Sequence, residues 1–147
     1  MTVVREAAVV DAPVDEVWHV IADARNLPRW NSHIREVRGA PERELKEGDT
    51  YQVRLRFMGV STDVRAEVEE LDPQRYSRVR LSGIVNATIH TFAKPIGHGR
   101  TRVEHEVEYR FPGGPLGALA ARTVRHLGAP MILRRGLRAQ KRLVEGA

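Results

Sequence analysis

The chain has 147 residues, 41% of them apolar and 29% charged, with no cysteine. That length suits one domain, residues 1–147, with a single sizeable core, and the balance excludes a disordered chain or a membrane protein. Missing cysteines exclude disulfides, thiolate catalysis and cysteine-ligated zinc. The net charge is +5, but residues 112–147 hold seven basic residues against one acidic, so the rest of the chain is close to neutral. No apolar run approaches the ~18 residues of a bilayer span, and MTVVREAAVV lacks the basic-then-apolar layout of a secretory signal, so a cytoplasmic setting is expected.

TVVREAAVV, residues 2–10, is valine-rich and bounded by Asp11 and Pro13, which predicts a first strand. The period then lengthens. Val14, Val17, Trp18 and Ile21 form the stripe of an amphipathic helix, with Pro13 at its entry and Asp15 and Glu16 at the positive end of its dipole. Asn26 is placed to cap a second short helix, on which Leu27, Trp30 and Ile34 share a face. From about residue 34 the period becomes two. Tyr51, Val53, Leu55 and Phe57 alternate with polar residues, and Val64, Ala66 and Val68 do the same beyond Gly59. RYSRVRLSG, NATIHTFAK and RTRVEHEVEYRF supply three more strands, linked through Gly83 and Gly97-His98-Gly99. In the last, Val103, His105, Val107, Tyr109 and Phe111 face one way, and Glu104, Glu106 and Glu108 face solvent. After PGGP the spacing predicts one long helix over 115–145, kinked near His126–Pro130 because an internal proline costs about 3 kcal/mol. A twisted antiparallel sheet with one apolar face must cover it, and the terminal helix is the only large apolar object left.

The order APVDEVWHVIADARNLPRW, AEVEELDP and GRTRVEHEVEYRF before a terminal helix resembles the polyketide cyclase/dehydrase-type members of the START-like, helix-grip superfamily. The resemblance spans nearly the whole chain. It implies an α+β helix-grip fold: a curved antiparallel sheet of about seven strands around a long C-terminal helix, two short helices after the first strand, and an apolar cavity between sheet and helix. It also puts LPRW near the cavity mouth, where Trp30 either plugs the structure or touches ligand. Its motifs mark the fold better than the activity, because the superfamily includes lipid-transfer domains, aromatase/cyclases, and hormone- and quinone-binding proteins.

Candidate ligand-binding residues follow from these faces. The helical segments offer Trp18, Trp30 and, late in the chain, Leu127; the first alternating strand offers Tyr51, Val53, Leu55 and Phe57. His105 and Tyr109 share an apolar face, as a core histidine with a neighbouring hydroxyl or as a ligand-orienting or acid/base pair. NATIHTFAK has two phases, and Phe92 favours the one with Asn86, Thr88, His90 and Phe92 inward. No carboxylate clearly faces this cavity and no two histidines have helical ligand spacing, so no metal site is expected. No cofactor motif is present either: GHGRT is a turn between strands, and neither a G-x-S-x-G elbow nor a phosphate-binding loop occurs.

Three functions remain. A hydrophobic or aromatic small molecule, such as a lipid, quinone or polyketide, is bound in the cavity. Alternatively, the pocket folds a poly-ketone chain as a cofactor-independent aromatase/cyclase or dehydratase, with His105, His90 or Tyr109 moving protons. The last possibility is an interaction protein working through its basic terminal helix, where Arg134, Arg135, Arg138, Lys141 and Arg142 could meet an anionic membrane. Few exposed aromatics accompany these arginines, which disfavours nucleic acid.

Overall fold

Period-two alternation broken by short turns yields seven strands in one curved antiparallel sheet. In the computed structural model, which describes residues 2–31, 33–57, 59–83, 85–110 and 129–146, they are β1 (Thr2–Val10), β2 (Ile34–Arg38), β3 (Thr50–Phe57), β4 (Val60–Asp72), β5 (Tyr76–Ser82), β6 (Asn86–Gly97) and β7 (Arg100–Arg110). Their spatial order is β1-β7-β6-β5-β4-β3-β2. Each strand from β2 to β7 therefore pairs with its chain neighbour, and β1 lies at the far edge against β7. The β6–β7 turn puts Gly97, His98 and Gly99 at φ 88°, 55° and 67°, left-handed values that glycine adopts without a Cβ clash.

One irregularity sets the phase of β4. Val68 pairs with Val79 but Glu70 pairs with Arg78, so Glu69 is an extra residue in a bulge. Strict alternation would turn Glu70 inward. The bulge instead lets Arg78 approach both Glu69 and Glu70, at 3.5 and 3.1 Å, and returns Leu71 to the apolar face. The charged face is held by such pairs throughout, including Arg5 with Glu104 and Glu106.

Between β1 and β2 lie helix α1 (Val14–Ile21), a 3-10 turn (Ala24–Asn26) and helix α2 (Leu27–Trp30). Val17 and Trp18 are the buried residues of α1, as its stripe predicts. Two details of the corner differ from the sequence reading. Asn26 is already helical, at φ −80° and ψ −11°, and makes no capping bond; its Nδ2 donates to the Val20 carbonyl instead. Asp23, in extended conformation, caps the corner by accepting from Arg25 N at 3.0 Å. The Arg25 guanidinium hydrogen-bonds to the same carboxyl and holds its pKa below the ordinary carboxylate range. Ile34, placed by spacing on the second helix, is the first residue of β2, yet it still joins Leu27 and Trp30 on the cavity wall.

The terminal helix α3 (Ala129–Glu145) packs against β1, α1 and α2. Leu137 and Val144 bury themselves among Val10, Val17 and Val103. A second cluster, Val53, Val64, Ala66 and Val68 with Ile34 and Leu45, fills the other end of the same sheet face. The upstream half of the helix predicted from 115, with its kink before Ala129, falls outside the described residues, as does Leu127. No described helix is long and apolar enough to cross a membrane.

Candidate functional site

His105 is the centre of the site. On β7 it pairs with Thr91 of β6, and cross-strand partners point to the same face. The Thr91 hydroxyl lies 2.9 Å from His105 Nδ1, and the Gln140 side-chain oxygen of α3 lies 2.9 Å from Nε2. A carboxamide oxygen only accepts, so Nε2 carries the proton and Nδ1 accepts from Thr91. The imidazole is 5% exposed. Burial pushes its pKa below the ordinary 6.5, with the Gln140 bond opposing, so the neutral ring is the form that fits. Trp30 completes the arrangement: its ring lies nearly parallel to the imidazole, 6° between planes and 6.2 Å between centroids. On α3, Gly136 lies against the Trp30 ring, close enough that a Cβ there would stand 3.5 Å from it.

These groups line one side of a partly open cavity of about 310 Å³ bounded by the sheet, α1, α2 and α3. Its walls are mainly apolar. Trp18, Trp30, Tyr51, Val53, Leu55, His105 and Tyr109, all nominated by the sequence, line it. Burial raises the Tyr51 phenol to about 12, keeping it protonated. Phe57 ends β3, and its side chain is outside the described residues. Two buried donors on the wall, Trp30 Nε1 and Gln140 Nε2, have no hydrogen-bond partner among the described residues.

His90 and Phe92 are corrections. Register with β7 turns Ala87, Ile89 and Thr91 to the cavity, so the neighbouring His90 and Phe92 occupy the outer face. There His90 Nδ1 meets the Tyr76 hydroxyl at 2.8 Å, and Nε2 lies 4.0 Å from Glu108. Phe92 is 38% exposed and packs on the Tyr76 ring at 5.0 Å. An apolar Phe92 on the outer face is why alternation by itself points to the opposite phase. His90, His105 and Tyr109 therefore do not converge.

Thr91 and Gln140 escape the sequence reading. Thr91 belonged to the phase set aside, and Gln140 is one polar position in a helix whose rotation only packing reveals. Glu6 also escapes it: as His105's partner across β1–β7 it faces the cavity side, where Arg134 Nε donates to it at 2.8 Å. Arg134 is thus tied into the fold.

Solved structures share this architecture at low identity. A Thermus thermophilus protein matches with TM-score 0.81 and 18% identity over 99% of this chain and 98% of that one. The Zhui aromatase/cyclase from Streptomyces matches with TM-score 0.77 and 22% identity over 98% and 93%, and a START superfamily protein from Mycobacterium smegmatis with 0.62 and 17% over 90% and 95%. No curated protein matches. Residues 1–145 match the family described as polyketide cyclase / dehydrase and lipid transport. With nearly every residue inside that match, and a START-like sheet and terminal helix around the cavity, the chain belongs to the polyketide cyclase/dehydrase and lipid transport family.

Proposed function

We propose that this protein binds a hydrophobic or aromatic small molecule in the cavity between its sheet and α3. The observation that carries the reading is a partly open space of about 310 Å³ with mainly apolar walls and a few buried polar groups, the usual composition of a small-molecule site. Burial of apolar ligand surface supplies affinity, and Trp30 Nε1 and Gln140 Nε2 are available to orient an acceptor on the ligand. Family membership supports a ligand-binding or aromatase/cyclase role. In the enzymatic alternative, proton transfer falls to His105 or Tyr109, which both line the cavity, because His90 lies on the outer face. Both ring nitrogens of His105 are already engaged, so a substrate oxygen would have to displace Thr91 or Gln140 before receiving or giving a proton. That favours binding.

The neutral dye N-phenyl-1-naphthylamine tests the proposal. It should bind with one-to-one stoichiometry, and Ala87→Leu, which fills space at the cavity wall, should weaken it by about tenfold or more with the circular dichroism spectrum unchanged. Equal affinity in the filled variant would place the dye elsewhere and overturn the reading. His105→Gln should keep the affinity; loss of turnover on a poly-ketone substrate with affinity retained would establish the enzymatic alternative.

A further inference from the structure

Trp30, Asn31, Ile132 and Gly136 line both the cavity and a neighbouring groove of about 420 Å³. The groove has the opposite chemistry. Arg135, Arg138 and Arg142 stand on it from α3 at spacings of three and four, so they share one helix face, and Arg29 joins them from α2. No Asp or Glu lines it among the described residues. Ten other described arginines are paired, among them Arg134 with Glu6, Arg43 with Asp49, and Arg78 with Glu69 and Glu70, whereas those unpaired among the described residues, such as Arg35, Arg65 and Arg100, lie outside this groove. Arg135, Arg138 and Arg142 have no carboxylate partner among the described residues, and Arg29 reaches only Asn26 Oδ1 at 3.4 Å. Like charges gathered in a concavity raise one another's energy, and an anion placed among them relieves that repulsion. At the shared wall, Trp30 Nε1 is a buried donor without an acceptor.

Resting on the cavity reading, we infer that the groove holds the anionic head group, a phosphate or carboxylate, of the same molecule whose apolar part occupies the cavity. Guanidinium forks match both groups in a bidentate manner. The ligand class is thereby narrowed to amphipathic anions, with Trp30 at the junction between tail and head.

Calorimetry with decyl phosphate, decanol and inorganic phosphate tests this. Decyl phosphate should bind about tenfold tighter than decanol, the worth of one charge-assisted hydrogen bond, and the advantage should shrink as salt shortens the screening length. The double variant Arg138→Gln/Arg142→Gln should erase the advantage and leave decanol affinity unchanged, which also reports an intact fold. Equal affinity for the two decyl compounds in the wild type, or an advantage that survives in the variant, overturns the inference while leaving the cavity reading standing. Inorganic phosphate binding as tightly as decyl phosphate would make the groove a free-phosphate site and overturn the link to the cavity. Binding of neither decyl compound would overturn the cavity reading and this inference together.

Discussion

The imidazole of His105 shows why a single buried polar residue is expensive to disturb. Its two nitrogens are satisfied by Thr91 and Gln140, from β6 and α3, so three elements meet at one ring. Replacing Thr91 with Val keeps the shape and removes the proton donated to Nδ1, leaving a buried acceptor unpaired. Urea denaturation should register a loss of about 1–3 kcal/mol. Part of that loss should vanish when His105→Leu is added, because no orphaned nitrogen remains; additive effects would mean that the two residues do not act as a pair. Trp30 is half-buried, and truncation to Ala would cost about 2 kcal/mol, below the range for fully buried aromatics. Its sharper effect is on exchange: opening the wall between cavity and groove should speed ligand release, measured by stopped-flow displacement of N-phenyl-1-naphthylamine.

At the scale of elements, packing overrules local pattern in two places and adds to it in a third. β6 alternates in either phase by composition, and its partners decide: Thr91 opposite His105 turns His90 outward. The bulge in β4 turns both Glu69 and Glu70 out, which accounts for a paired VEEL in an otherwise alternating strand. For α3 the apolar stripe nominated Leu137 and Val144 correctly, but its polar positions carry equal weight for the site. Leu137→Ala should cost about 2–5 kcal/mol in chemical denaturation, since the side chain is 3% exposed among Val10, Val17 and Val103. Met131→Ala on the same helix, with Met131 53% exposed, should stay within about 0.5 kcal/mol. Similar costs at both positions would mean that α3 does not sit on the sheet through Leu137.

The whole molecule should report the buried histidine through its pH dependence. In the unfolded chain His105 titrates near its ordinary 6.5, and in the folded protein it titrates lower. Between those values the unfolded state binds more protons, so stability falls as pH falls, by at most about 1.4 kcal/mol per pH unit for one group. Asp23 and Asp49, whose pKa values are held down by Arg25 and Arg43, add their own loss only near their ordinary 3.8. Midpoints of urea unfolding from pH 7 to 5 should therefore drop in the wild type and flatten in His105→Gln. An unchanged slope in the variant would show that His105 is not the group responsible.

What the amino-acid order determined by itself is most of the described elements and the apolar faces of most of them, because periods of two and 3.6 record which residues must leave water. The first strand, the α1 stripe, the β3 face and the inward turn of His105 were all legible for that reason. Tertiary structure alone decided how those faces meet. Register chose the phase of β6, the bulge chose that of Glu70, and the rotation of α3 brought Gln140 to His105 and Arg135, Arg138 and Arg142 to one groove beside Trp30. These depend on contacts between residues as far apart as 6 and 134 or 105 and 140, and local periodicity carries no information about such pairs.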